Sequence, residues 1–158
     1  DYYSHPHTKT QQILFLKKQL ELAEKYDLPV DIHMRKATYD TLQILKKHPV
    51  KGIIHSYSGS LETAQLFLKE GFMLSFGASI LFKGAKKPAM VIKEIPDDRL
   101  LIETDAPYLA PTPYRGKRNH SGYVPEVAKK IAEIKGLTTE EVARITMENG
   151  KRFFRIPG

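Results

Sequence analysis

The chain has 158 residues, of which 41% are hydrophobic and 27% are charged, and its formal net charge at pH 7 is +7. A chain of this length and composition fits one folded domain, which disfavours a multidomain arrangement of these residues and an intrinsically disordered protein. No cysteine occurs, which excludes disulfides and thiolate metal sites and leaves His, Asp and Glu as the side chains able to bind a metal ion.

Hydropathy and charge predict where the protein is located and which class of partner it binds. The sequence has no run of about 20 apolar residues and no secretion signal, so we predict a cytoplasmic protein that does not enter a membrane. The chain begins at Asp1 rather than at Met, which is compatible with the removal of a signal or of a whole N-terminal region. The excess of Lys and Arg favours polyanionic partners, although lysines on helix faces are commonly only solvated.

The first part of the chain alternates helical and strand patterns. Apolar residues recur at helical spacing over residues 10–26, which predicts an amphipathic helix. The apolar run 28–33 then predicts a buried strand, residues 37–47 a second helix, and residues 52–55 a second strand. Each of these two strands ends in a histidine.

The same alternation continues toward the middle of the chain. Residues 61–70 are predicted as a helix closed by Gly71, and residues 72–76 as the third strand. A helix over residues 85–94 precedes the fourth strand, residues 100–103, which runs into Asp105. The strand ends are roughly 20 to 30 residues apart, which is the length of a βα unit and predicts a parallel sheet.

The last third of the chain begins with a basic loop rich in proline and glycine, residues 106–122. A helix is predicted over residues 124–135 with Gly136 closing it. Thr138 and Glu141 then form the pattern of a capping box, which predicts a last helix reaching Asn149.

Three residues with metal-binding side chains lie at the ends of predicted parallel strands. Because such strands present their carboxyl ends at one face, we expect His33, His55 and Asp105 to meet there. Two imidazoles and a carboxylate suit zinc, manganese or a similar divalent ion. A lone histidine at a strand end is more often a hydrogen-bonded structural residue, and Asp105 alone suits a turn before Pro107. Their coincidence favours the metal site, and Glu103 is expected to support it through an ion pair or hydrogen bonds.

A cluster of cations follows Asp105 in the basic loop. The segment 114–119 reads Tyr-Arg-Gly-Lys-Arg-Asn, and its guanidinium groups suit a phosphate while Tyr114 suits stacking on a base. We therefore predict that Arg115, Lys117 and Arg118 bind a substrate phosphate. The alternative is a solvated surface loop.

Four runs of residues together resemble the TatD family of metal-dependent hydrolases. The most specific is Glu-Thr-Asp-Ala-Pro-Tyr-Leu at residues 103–109, followed by Arg-Gly-Lys-Arg-Asn at residues 115–119. The runs 28–37 and 55–60 also match, and residues 1–3 look like the end of the family's Gly-Leu-Asp segment. The resemblance covers essentially the whole chain.

This resemblance implies a single TatD-like domain over residues 1–158, of the α/β class and the TIM (β/α)8-barrel family. Members hold two divalent ions (Mg, Mn or Zn); His33 and His55 would bind one, and Asp105, the catalytic residue, the other. Arg35 and Glu103 are expected to contact these ligands. The family's N-terminal His-x-His pair and bridging glutamate have no counterpart here. We therefore interpret the chain as a C-terminal portion with about the last four βα units.

The function implied is that of a deoxyribonuclease, often a 3′ to 5′ exonuclease, which cleaves phosphodiester bonds with a metal-activated water. DNA or another nucleic acid is then the substrate, and self-association or a missing N-terminal segment would complete the barrel. Two alternatives stay open. One is a non-catalytic basic half-barrel that binds nucleic acid or a partner chain, and the other is an amidohydrolase acting on amide or ester bonds.

Overall fold

The computed structural model describes residues 1–157 and consists of a parallel sheet with helices beside it. The strands are β1 (Val30–His33), β2 (Gly52–His55), β3 (Met73–Phe76) and β4 (Leu100–Ile102). The helices are α1 (Lys9–Tyr26), α2 (Thr38–Leu45), α3 (Leu61–Lys69), α4 (Lys86–Glu94), α5 (Val124–Lys135) and α6 (Thr139–Phe154). All predicted helices and strands are present, with ends that differ from the prediction by a few residues except in α6.

The sheet follows the order of the chain. Its strands are parallel and adjacent in the order β1, β2, β3, β4, so each helix between two strands serves as a crossover. The register places His33 of β1 directly beside His55 of β2. The predicted parallel arrangement is therefore confirmed, and the carboxyl ends of all four strands lie at one edge.

The two faces of the sheet have different partners. Alternate residues such as Ile54, Leu74 and Leu100 are fully buried against the helices and form the main core. The opposite face carries a small second cluster in which Ile53, Met73 and Leu101 pack against Phe153 of α6.

The last helix is longer than the sequence predicted. We expected it to end at Asn149, but α6 continues to Phe154. Asn149 is buried instead, and its side-chain amide donates to the carbonyl oxygens of Asp97 at 2.6 Å and Leu100 at 2.8 Å. These contacts and the packing of Phe153 hold the helix together past Gly150, since tertiary contacts outweigh a weak local propensity.

The capping box at the start of α6 is confirmed. The Glu141 amide donates to Thr138 Oγ1 at 3.1 Å, and the Thr138 amide donates to Glu141 Oε2 at 2.7 Å. Thr138→Ala removes one of these acceptors, so we expect it to lower the free energy of unfolding by about 1 kcal/mol, measured by urea denaturation. Thr138→Ser keeps the hydroxyl and is the control; equal midpoints for the two variants would contradict the assignment.

None of the helices within residues 1–157 combines the length and the apolar character required to cross a membrane.

Candidate metal centre

Three potential ligands converge at the carboxyl edge of the sheet. His55 ends β2, while Glu103 and Asp105 follow β4, and one ligand atom from each lies within 4.8 Å of the others. This arrangement arises because β2 and β4 flank β3 in the sheet, so their ends approach across the end of β3. The predicted proximity of His55 and Asp105 is therefore present in the structure.

The imidazole of His55 lies between two carboxylates. Its Nδ1 is 2.8 Å from Glu103 Oε2, and its Nε2 is 3.0 Å from Asp105 Oδ1. The hydrogen bond to Glu103, strengthened by the negative charges of Glu103 and Asp105, raises the pKa of His55 to about 9. A third carboxylate, that of Asp31, lies 3.9 Å from Nδ1, and burial raises its own pKa.

Ser75 belongs to this network, although it was not among the residues predicted from the sequence. Its hydroxyl donates a hydrogen bond to Glu103 Oε2, and its Oγ accepts one from the Ser56 amide at 3.2 Å. Glu103 therefore accepts from both Ser75 and His55 through one oxygen atom, which fixes the carboxylate against the imidazole. The feature of the sequence that could have identified Ser75 is that it carries the one hydroxyl in the otherwise apolar strand β3.

Two buried oxygen atoms at the site have no hydrogen-bond partner, namely Glu103 Oε1 and Asp105 Oδ2. Both lie beside Gly77, where a Cβ atom would be 3.5 Å from Glu103 Oε1 and 3.6 Å from Asp105 Oδ2. The burial of a carboxylate oxygen without a partner costs desolvation free energy, and a bound cation would offset that cost.

The spacing of the donor atoms also fits a divalent ion. His55 Nε2 and Asp105 Oδ1 are 3.0 Å apart. Two neighbouring ligands that each lie roughly 2.1 Å from an octahedrally coordinated ion are separated by about 3 Å. With a nitrogen and a carboxylate oxygen at this distance, the residues present fit a metal ion, and Glu103 would hold the imidazole from its other nitrogen.

His33 lies outside this cluster, although its strand is adjacent. Its ring centroid is 6.0 Å from that of His55, and its Nε2 is 3.1 Å from Asp1 Oδ2. Burial, followed by the nearby N-terminal ammonium group, lowers the pKa of His33. The Asp1 carboxylate, which was not predicted to lie here, also accepts hydrogen bonds from the amides of Tyr3 and Ser4. The ligand role of His33 stays a prediction.

The remaining predicted site residues lie around this edge. The Arg35 guanidinium lies 3.8 Å from the ring centroid of Tyr3, and its positive charge contributes to the lowered pKa of His33. Arg115 lies 4.1 Å from the ring centroid of Phe82. Lys117 and Arg118 are exposed, and neither forms a salt bridge within residues 1–157. Their roles in binding phosphate stay predictions.

Metal binding at His55 is expected to release a proton below about pH 9. The metal-free imidazole is then protonated because its pKa is raised to about 9, whereas an ion requires a free nitrogen lone pair. The apparent affinity for Mn²⁺ should therefore fall about tenfold for each pH unit below that value. Calorimetric titrations in two buffers of different ionisation enthalpy measure the released proton. His7→Gln should preserve the release and His55→Gln should abolish it; release that persists in His55→Gln would contradict the assignment.

The amino-acid sequence of the chain is similar to those of known metal-dependent hydrolases. The uncharacterized metal-dependent hydrolase YabD of Bacillus subtilis (strain 168) is 51% identical, over 99% of this chain and 62% of its own length. The uncharacterized metal-dependent hydrolase YcfH of Escherichia coli (strain K12) is 39% identical, over 99% of this chain and 60% of its own length. The chain thus spans about three fifths of the length of these relatives.

Solved structures agree with this relationship. The crystal structure of YJJV, a TatD homologue from Escherichia coli K12, has a TM-score of 0.87 at 31% identity, covering 94% of this chain and 58% of that one. A TatD family hydrolase from Entamoeba histolytica has a TM-score of 0.86 at 24% identity, covering 98% of this chain and 60% of that one, which shows the fold alone. The predicted α/β fold of the TIM-barrel family is therefore confirmed, whereas the assignment to its last four βα units stays a prediction.

The family model described as TatD related DNase matches residues 1–155. A match that starts at residue 1 gives no support to the expectation that N-terminal family motifs are missing, so that expectation also stays a prediction. The resemblance predicted from residues 103–109 and 115–119 is confirmed, and the chain belongs to the TatD-related DNase family.

Proposed function

We propose that this chain acts in the divalent-metal-dependent hydrolysis of phosphodiester bonds, with DNA as the substrate and cleavage running 3′ to 5′. The observation that carries the proposal is the convergence of His55, Glu103 and Asp105, with unpartnered buried oxygen atoms, at the carboxyl edge of the sheet. Parallel βα folds hold their active sites at this edge. The family match and the hydrolase names of the relatives support the same reaction class.

In this proposal each side chain has a distinct task. A divalent ion held by His55 Nε2 and Asp105 would supply an activated water and stabilise charge on the leaving oxygen. Glu103 holds the His55 ring by accepting from Nδ1, and Ser75 holds Glu103. Asp105, whose Oδ2 has no hydrogen-bond partner, is the catalytic residue that would bind the ion and orient the attacking water.

The basic loop supports a nucleic-acid substrate rather than an uncharged amide or ester. Arg118 lies on an open cleft with Thr104, which stands between Glu103 and Asp105 in the chain. A cation next to the metal centre without a carboxylate partner is available for a substrate phosphate. We therefore favour phosphodiester hydrolysis over amidohydrolase chemistry.

The resemblance implies two ions (Mg, Mn or Zn), with His33 and His55 on one ion and Asp105 on the other. The 3.0 Å between His55 Nε2 and Asp105 Oδ1 favours a shared ion, so the proposal assigns these two residues to one ion and His33 to the second. Two ions require more ligands than these three side chains, so a second copy of the chain or further polypeptide would supply the others. Crosslinking of the metal-loaded chain distinguishes the first source from the second. A cytoplasmic location also stays a prediction.

The proposal is tested with single-stranded DNA carrying a 5′ label. We expect Mn²⁺ or Mg²⁺ to produce a ladder that shortens from the 3′ end, EDTA to stop it, and phosphorothioate linkages at the 3′ end to block it. A folded chain that binds metal and DNA without cleaving it would indicate the non-catalytic alternative. Metal-dependent cleavage of amide or carboxylic ester substrates with DNA left intact would indicate the amidohydrolase.

A further inference from the structure

We propose that an open cleft beside the metal centre binds a second phosphate group of the substrate through Arg118 and His120. This loop cleft has a volume of about 520 Å³. Its lining residues come from the two ends of the basic loop: Thr104, Ala106, Pro107, Arg118, Asn119, His120 and Ser121. The inference rests on the proposed phosphodiester hydrolysis and assigns residues that hold the phosphate next to the one cleaved.

The walls of the loop cleft are fixed by Asn119. This side chain is only 2% exposed, and its amide nitrogen donates to the Tyr108 carbonyl at 2.7 Å. Its Oδ1 accepts from the His120 amide at 2.9 Å, and its own backbone amide donates to the Pro107 carbonyl at 3.0 Å. Since the backbone and the side chain of the buried Asn119 tie this end of the loop to Pro107 and Tyr108 at the other end, the cleft is preorganised for a ligand.

The orientation of the His120 ring is also fixed. The Gly122 amide donates to its Nδ1 at 3.2 Å, so the neutral ring must carry its proton on Nε2. The ring lies against Tyr123 with centroids 3.9 Å apart, and Tyr123 stacks on Tyr114 at 4.1 Å. Nε2–H is thus the donor left for a ligand.

Gly122 is necessary for this arrangement. A Cβ atom at this position would lie 2.9 Å from both Cε1 and Nδ1 of His120, which is too close for either atom. A side chain at residue 122 would therefore displace the imidazole without removing it. This offers a way to test the placement of His120 separately from its chemistry.

Arg118 supplies the charge. Its guanidinium is exposed, and no carboxylate within residues 1–157 forms a salt bridge with it. A planar guanidinium and an imidazole N–H on one preorganised cleft match the acceptor oxygens of a phosphate. Thr104 and Ala106, which flank Asp105 in the chain, both line the cleft, and on this basis the proposal assigns the bound group to the phosphate next to the reacting one.

The same chemistry fits a phosphate within a DNA strand and a free phosphate, such as a mononucleotide product. We measure the anisotropy of a fluorescein-labelled single strand in EDTA, so that binding is independent of hydrolysis. Arg118→Gln is expected to weaken binding about tenfold and to reduce the salt dependence by about one charge. His120→Phe, which keeps an aromatic ring without the donor, and Gly122→Ala should each weaken it about fivefold.

Lys17→Gln removes an exposed charge from α1 and is the matched control, which should bind within about twofold of the unaltered chain. Competition by deoxyadenosine monophosphate or inorganic phosphate that depends on Arg118 would identify a site for free phosphate. Competition by strands alone would identify a strand phosphate. Both results support the site.

Folded Arg118→Gln and His120→Phe variants that bind the strand as tightly as Lys17→Gln would overturn the inference. This failure is distinct from failure of the proposed function. If the chain binds the strand through Arg118 and His120 but does not hydrolyse it in the presence of metal, phosphate binding in the loop cleft is supported and the proposed nuclease function is contradicted.

Discussion

Replacement of Asp105 by Asn is expected to reduce metal-dependent DNA cleavage about a thousandfold. The substitution removes the negative charge that faces both His55 Nε2 and the proposed ion, while the shape of the side chain is kept. A bound metal contributes several kcal/mol of transition-state stabilisation, and each 1.36 kcal/mol corresponds to a tenfold change in rate. Initial rates on 5′-labelled DNA at fixed Mn²⁺ concentration measure the effect.

Asp98→Asn is the matched control for this experiment. Asp98 is an exposed carboxylate in the turn before β4, at the end of the strand opposite Asp105. This control should cleave DNA at the rate of the unaltered chain. An Asp105→Asn variant that retained that rate would remove Asp105 from the metal centre.

Glu103→Gln is expected to weaken Mn²⁺ binding by 10- to 100-fold and to lower activity to a similar extent. Glutamine keeps the length of the side chain but loses the negatively charged carboxylate. In Glu103 this carboxylate accepts hydrogen bonds from His55 Nδ1 and from the Ser75 hydroxyl. The ring then loses its fixed orientation, because the amide group can donate as well as accept. Isothermal titration calorimetry measures the affinity.

A second measurement separates positioning from simple destabilisation. The raised pKa of His55 depends first on Glu103, so in Glu103→Gln the steep pH dependence of Mn²⁺ binding should move to lower pH. Glu94→Gln, an exposed carboxylate at the end of α4, should leave both affinity and pH dependence unchanged. A Glu103→Gln variant with the affinity and pH profile of Glu94→Gln would show that Glu103 does not position the imidazole.

The order of helices and strands was predictable because it depends on local patterns. Short apolar runs gave four strands, and Thr138 with Glu141 gave the start of α6. The end of α6 was not predictable from Gly150 alone. The chain continues as a helix there because of contacts with β4, which are far away in sequence.

The candidate site was predictable only to the level of strand ends. Parallel topology is sufficient to bring His55 and Asp105 to one edge. It does not determine side-chain direction, and His33 faces Asp1 instead of the cluster. Ser75 was missed because a serine in a strand has no distinctive spacing, and its contact with Glu103 depends on the register of β3 with β4.

The hydrogen bonds that the Asn149 side chain donates to the Asp97 and Leu100 carbonyls have a consequence for protein synthesis. The Leu100 carbonyl finds its side-chain partner 49 residues further along the chain. While the ribosome is still making that stretch, β4 lacks both this hydrogen bond and the cover that Phe153 gives to Leu101. A nascent chain arrested before α6 is therefore expected to carry Glu103 and Asp105 beyond a strand that pairs with β3 but is uncovered on its other face. We expect such a chain to bind metal less tightly than the chain that includes α6.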